Sequence, residues 1–318
     1  MIFLDITSKI IVSSLDLLLP IAVGYLLKHQ SYLRDGFFNK MILNNILVVY
    51  PLLSFLCFWV LPLSIELIWL PVMGILMGLV PGIIATWRSK HKYTSPLDQG
   101  GYVMSAILSN LGTIGGLCVF LLYGETGYAY QQLVVLSQYI LMFMFCYPLA
   151  QNYYEKAQGN VHSHSVSIRS VLFSRNQLAV VGILLGVVLQ LASVPRPDAL
   201  SGVSSFLVHL GAWTALIPVG YSMDFARIRS HYRELADLAI IKFALSPLIL
   251  YLVALLLIDN EIMRYSLLIL SFTPTAVNAV ITARLYQLNL HLTMAAFILT
   301  TLLFLIVIYP LLFILLPH

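Results

Sequence analysis

The stretch that most constrains this chain is Ser271 to Leu285, SFTPTAVNAVITARL, set inside an apolar segment otherwise long enough to cross a bilayer as one helix. Pro274 has no amide hydrogen, and its ring pushes Thr273 away from helical geometry, so the helix must stop and restart close to mid-segment. Backbone without helical partners at that depth is tolerated only where it is buried in protein or faces a water-filled cavity. A restarting helix also presents free N–H groups and the positive end of its dipole, which suits an anion.

A matching interruption lies in the other half of the chain. The apolar segment 101–122 is broken by Ser109-Asn110-Leu111-Gly112-Thr113-Ile114-Gly115-Gly116, where three glycines loosen the helix and Asn and Thr add polar side chains. Paired interruptions at corresponding places in two halves point to a transporter binding site. The candidate binding residues are therefore Asn110, Gly112, Thr113 and Gly115 on the first break, with Pro274, Thr275 and Asn278 on the second.

The composition fits this setting. Of 318 residues, 60% are hydrophobic and 9% charged, with a mean hydropathy of +0.93, whereas soluble domains carry roughly a quarter charged residues. At about 20 apolar residues per crossing, the chain reads as an all-α polytopic membrane protein with ten transmembrane helices. The expected spans are 7–27, 37–60, 65–86, 101–123, 127–150, 176–193, 202–222, 235–258, 263–286 and 292–316. The first lacks a basic leader and a small-residue cleavage site, so it reads as a retained helix. Cys57, Cys118 and Cys146 fall inside apolar segments and read as small core residues.

Basic residues cluster in the odd connections: Lys28, Arg34 and Lys40; Arg88, Lys90 and Lys92; Lys156, Arg169 and Arg175; Arg227, Arg229 and Arg233. The even connections hold little more than Glu66, Glu125, Arg196 with Asp198, and the Asp259, Glu261 and Arg264 group. The positive-inside rule places the odd connections in the cytoplasm and both termini outside, with a plasma or bacterial inner membrane as the expected location. Lys242 and Arg284 read as snorkelling toward the cytosolic face, and Asp224 with Arg227 and Arg229 as a topological anchor.

Internal repetition divides the chain into residues 1–150, a cytoplasmic linker 151–175, and residues 176–318. A shift of 168 lays Asn278 on Asn110, and a shift of 167 lays Pro218 on Pro51. Tyr147-Pro148-Leu149 and Tyr309-Pro310-Leu311 both lie near the end of a half. With five spans per half, the second half enters the membrane inverted, giving a five-plus-five inverted repeat inside one transporter domain. The half-helices after the two breaks then begin near the midplane from opposite sides, and their positive ends converge on one cavity fitted to a carboxylate. Pro51 and Pro218 are expected as hinges or cavity walls.

These residues resemble the auxin efflux carrier family, the plant PIN-like carriers and bacterial permeases annotated for malate or malonate. The likeness lies in TPTAVNAVITARLY with LTMAAFILTTLLFLIVIYPL, in LLLPIAVGYLLKHQSYL, in LVVYPLLSF and in SNLGTIGG. The resemblance implies crossed, broken fourth and ninth helices of the kind found in bile-acid symporters. It also implies a midplane site for a small organic anion, elevator-type alternating access and a homodimer. Where the family usually has a proline in the first crossover, this chain has Leu117 after Gly115-Gly116.

Other polar residues in the spans leave alternatives open. Asp16 is a candidate for carrying a coupling proton, and equally for a carboxyl hydrogen-bonded to a neighbouring helix. Gln138 and His209 are candidates for lining the cavity, Gln138 as a binding residue and His209 in coupling; packing satisfies such groups as well. His162 and His164 lack the further ligands of a metal site, and no metal or cofactor is expected, although coupling to protons or sodium is open. No GxxxxGK[ST] loop is present, and the polar inventory is too thin for an enzyme. The expected partners are the lipid bilayer, a small organic anion and a second copy of the chain, with no nucleic acid. The alternatives to a permease are a sodium-coupled organic anion symporter of the bile-acid type and a transporter-like ligand receptor.

Overall fold

The computed structural model describes residues 15, 18–28, 35–159, 178–222 and 231–317. Asp16, His162, His164, Asp224 and most of the expected linker lie outside the described residues. Everything described is helix, turn or connection, apart from one isolated two-residue β-bridge. In chain order the helices are α1 (Leu18–Leu27), α2 (Gly36–Val60), α3 (Ile65–Lys92) and α4 (Pro96–Ile107). Leu111–Gln158 follows as one helical run turned at Gly124, whose φ of 60° and ψ of −150° separate α5 (111–123) from α6 (125–158). Then come α7 (Leu178–Leu191), α8 (Asp198–Tyr221), α9 (Ala236–Leu257), α10 (Glu261–Ser271), α11 (Val277–Leu285) and α12 (Leu290–Leu315).

Six of these helical runs are long and apolar enough to cross a membrane: α2, α3, the α5–α6 run, α8, α9 and α12. The shorter α1 and α7 are equally apolar. Ranks of exposed leucine, isoleucine and valine on α7 and α9, among them Leu184, Leu185, Val188, Leu248, Leu252 and Leu256, form the outer surface that hydrocarbon would cover.

Four helices carry a π-helical turn immediately before a proline: Asn45–Val49 before Pro51, Met142–Cys146 before Pro148, Ile241–Leu245 before Pro247, and Phe304–Ile308 before Pro310. Proline gives no N–H, and its ring crowds the carbonyl four residues earlier. Widening one turn moves that carbonyl aside, and the residue before each proline bonds five back, as Tyr50 N–H does to Asn45 O. The prolines thus bend these helices without breaking them. Pro274, followed by no such accommodation, does break its segment.

Two groups of helices are distinguishable by their contacts. In the first, α2 packs along α7 and α1 against α8. A Cβ added at Gly182 would collide with the carbonyl of Pro51, and one added at Gly24 with the carbonyl of Ile217, the residue before Pro218. Backbone approach that close requires glycine. Pro51 and Pro218 therefore lie where these helices touch. Asn45, buried in α2, fastens the same group by donating to Gly211 O (3.0 Å) and accepting from Thr214 (2.9 Å) on α8.

The second group gathers α3, α4, α5, α6 and α9 to α12 around the broken helices. At one end Arg88 and Lys92 of α3 both pair with Asp237 of α9 at 2.7 Å, joining the third and seventh connections. At the other end Glu125, the first residue of α6, pairs with Arg196 at 2.7 Å and accepts from Ser204. Arg196 also donates to Leu56 O (3.0 Å), and Trp59 donates to Val194 O (2.8 Å). The Glu125–Arg196 pair therefore ties the second group to the first at the end opposite Asp237.

Candidate functional site

The two interrupted helices meet through their breaks. Ser109 and Thr275 form the antiparallel bridge, with Asn110 N–H donating to Pro274 O and Ala276 N–H donating to Leu108 O, both at 2.8 Å. Each break thus satisfies the other's orphaned backbone, which is the condition for irregular chain inside an apolar fold. Side chains complete the pairing. Thr275 donates its hydroxyl to Ser105 O (2.8 Å), while its N–H donates to Thr300 Oγ1 (3.0 Å). Gln138 on α6 donates to Ser109 O at 2.6 Å, and Lys242 on α9 donates to Ser109 Oγ at 2.7 Å.

The bridge fixes a register different from the one that asparagine identity gives. Asn110 N to Pro274 O and Ala276 N to Leu108 O are related by a shift of 166, and the same shift lays the start of α5, Leu111, on the start of α11, Val277. It also lays Pro81 of α3 on Pro247 of α9. In that register Asn278 corresponds to Gly112 and Asn110 to Ala276, so the two asparagines hold different posts. Asn110, 7% exposed, caps its helix, with Oδ1 accepting from Ile114 N–H at 3.5 Å. Ala276 has no side chain to cap with, and Asn278 sits half-buried in the first turn of α11.

First-turn amides lack a backbone partner at both restarts. No backbone carbonyl among the described residues accepts from Gly112 and Thr113 on α5, or from Val277 and Asn278 on α11. Two small cavities adjoin the α5 restart. One of about 10 Å³, room for about one water, is lined by Tyr50, Leu53, Gly112, Thr113, Leu117 and Tyr128, with residues of α8 closing it. A neighbouring cavity of about 30 Å³ shares Tyr50 and Gly112 and continues along Gln131, Gln132 and Tyr139. Both lie between the helix group of α2, α7 and α8 and the group carrying the breaks. Thr113 and Tyr50 line the smaller cavity from the two sides of that boundary.

The expected site residues divide accordingly. Gly112 and Thr113 line the space. A Cβ at Gly112 would meet nothing within 4 Å, whereas one at Gly115 would lie 2.8 Å from Leu270 and 3.0 Å from Thr273. Gly115 is thus where α5 packs against the end of α10. Asn110, Pro274, Thr275 and Gln138 build the break from behind and line neither cavity. His209 is half-buried on α8 and is not among the lining residues, although Val208 and Gly211 beside it are. Leu117, at the family's proline position, is 2% exposed and forms a wall of the smaller cavity.

Sequence reasoning missed Tyr50, Tyr128, Tyr139 and Gln131, whose types are ordinary in apolar segments and whose convergence comes only from folding. It misread Lys242. Seven residues into the expected eighth span, that lysine looked able to snorkel, but it is 2% exposed and turned inward onto the break.

Thr275→Val tests the build of the break, because it keeps the shape and removes the hydroxyl that satisfies Ser105 O. A buried acceptor without its donor costs about 1–3 kcal/mol, so the variant is expected to melt several degrees below the parent. Thr275→Ser is expected to stay close to it, as read by thermal unfolding in detergent.

No curated protein matches the chain. The model of the membrane transport protein family, Mem_trans, to which the auxin efflux carriers belong, matches residues 9–312. A chain of apolar helices with two interrupted ones joined at their breaks, matched over that length, is an integral membrane protein and a member of this transporter family.

Proposed function

We propose that the protein is a secondary transporter that carries a small organic carboxylate across the plasma or bacterial inner membrane. The observation that carries this reading is the pair of first-turn amides that Gly112 and Thr113 present at the positive end of a helix, beside two small cavities at the boundary between the helix groups; the substrate fills these as the groups move apart. The carboxylate is bound there by those amides and by Thr113, and the α11 restart adds positive potential from the other side. Asn278 lines neither cavity and on this reading contributes through the α11 restart, while Asn110 holds the α5 turn in shape.

The lining narrows the substrate. No charged side chain lines either cavity, and the walls are tyrosine, glutamine and aliphatic. Such a site suits one carboxylate on an otherwise uncharged body, with the Tyr50, Tyr128 and Tyr139 rings giving flat apolar contact. A second carboxylate would have no cation to meet. No acidic side chain lines the space either, so the lining does not favour the sodium-coupled symporter.

The wider architecture supports alternating access. We place the chain in ten spans, with α4–α5 as the fourth and α10–α11 as the ninth, in an inverted five-plus-five repeat with both termini outside. The group of α1, α2, α7 and α8 is the scaffold, and in a homodimer it is the part that stays fixed. The group carrying the breaks moves against it, with the Glu125–Arg196 pair as the contact released on movement. The test is counterflow in proteoliposomes: labelled indole-3-acetate or pyruvate is expected to accumulate against its unlabelled form without sodium. Uptake that requires sodium would favour the symporter, and binding without any exchange would favour a receptor.

A further inference from the structure

Lys242 is a charged residue with no evident reason to be where it is. It lies in the π-helical turn of α9 and is 2% exposed. Its ammonium donates to Ser109 Oγ at 2.7 Å and to Ala106 O at 3.2 Å. Among the described residues the ion pairs are those of Asp237, Glu125 and Glu261, and none includes Lys242. A buried ammonium without an acidic partner is costly, in an apolar fold above all, and something must compensate it.

What faces it is the end of a helix. Because α4 stops at Ile107, its last carbonyls have no continuing turn to bond them and together form the negative end of the helix dipole. Met104 O accepts from Leu108 N–H and Ser105 O from the Thr275 hydroxyl, which leaves Ala106 O to the ammonium. The other stopping helix is finished differently. At the end of α10, Leu268 O and Leu270 O accept from the hydroxyls of Ser271 and Thr273. In the register of 166 set by the bridge, Lys242 falls on Leu76, a partly buried apolar residue. Positive charge is therefore built into one side of the break only, directly behind Ser109 and the turn that opens the cavity.

We infer that Lys242 is a tethered counter-cation: its ammonium fills the cation seat at the end of α4, where Ser109 Oγ and Ala106 O converge, and no dissolved inorganic cation is needed there. Ser109 couples the seat to the cavity, since its hydroxyl meets the ammonium while its backbone makes the bridge to Thr275. The ammonium thus holds the break closed and adds to the positive potential of the α5 restart.

Thermal unfolding of purified protein without substrate tests this, so the result is separate from the carboxylate reading. The parent is expected to melt at the same temperature in sodium chloride and in choline chloride at equal ionic strength. Lys242→Ala is expected to fall by roughly 5 °C or more, and to regain a good part of that loss with propylammonium or sodium but not with choline. Lys242→Met, which fills the space without charge, is expected to fall without recovery in any of the salts. A parent that gains several degrees from sodium over choline would overturn the inference, because the seat would then be open. So would a Lys242→Met protein melting within about 1 °C of the parent. If Lys242→Ala cannot be purified, those two comparisons decide.

Discussion

Replacing Gly112 with phenylalanine is expected to abolish ligand binding and transport while leaving the protein folded. Gly112 lines both cavities, and the space in front of its α-carbon is empty to 4 Å. A ring placed there reaches past that space into the cavities that Gly112 lines and so occupies the ligand's position. The helix also gains, since glycine is the poorest residue for a helical turn apart from proline. The expected result is a melting temperature at or above the parent's, with affinity reduced at least about 100-fold, or roughly 2.7 kcal/mol. Gly115→Val, three residues on, is expected to do the reverse. Its side chain is driven into Leu270 and Thr273, so the loss appears first as stability. Melting curves and binding isotherms on the two variants separate a site position from a packing position within one turn of α5.

A large loss of stability is expected at Gly182, where α7 rests on α2. A valine there meets the carbonyl of Pro51 and the amide of Phe55. Backbone at a helix contact has no rotamer to yield, so the helices must separate. Overpacking of this kind costs about 3 kcal/mol, which corresponds to a fall of roughly 6–12 °C. Gly202→Val, in the first turn of α8 with nothing near its α-carbon, serves as the control and is expected to leave the melting temperature unchanged. Equal losses in the two variants would mean that valine propensity, and not the α2–α7 contact, is being measured.

The parts of this structure legible in the sequence are those set by local chemistry. Pro274 announces a break because no neighbouring residue can repair it, and Gly112, Gly115 and Gly116 announce the other by the same logic. The ends of α7, α8, α9 and α12 fall within a few residues of the apolar boundaries. The register between the halves was less legible. Matching asparagine to asparagine gives a shift of 168, whereas the backbone hydrogen bonds between the breaks require 166. Identity of side chain is a weaker constraint than satisfaction of buried N–H and C=O groups, and only the folded pairing reveals the latter.

Prolines were legible as irregularities but not as outcomes. Pro51, Pro148, Pro247 and Pro310 are absorbed by π-turns, and Pro274 is not; what decides is whether the preceding turn can widen or must open toward a partner. Lys242 was illegible for a different reason. Its depth along α9 is compatible with reaching either solvent or the break, and the choice depends on α4, some 136 residues away in the chain. The cavity walls share this property. Tyr50, Tyr128, Tyr139 and Gln131 come from helices that meet only after the two groups assemble, and each alone is an unremarkable residue in an apolar helix.

The most direct test of a carboxylate site at the α5 restart is thermal stabilisation of the purified protein by a panel of organic acids. Indole-3-acetate, pyruvate, malate and malonate are compared on the parent, Gly112→Phe and Asn278→Ala. A ligand that binds only the folded state raises the melting temperature with concentration. A monocarboxylate is expected to stabilise the parent, to lose all effect on Gly112→Phe and much of it on Asn278→Ala, and to exceed both dicarboxylates. Stabilisation that survives intact in Gly112→Phe would contradict the account, because the anion would then be held away from the restarting helix.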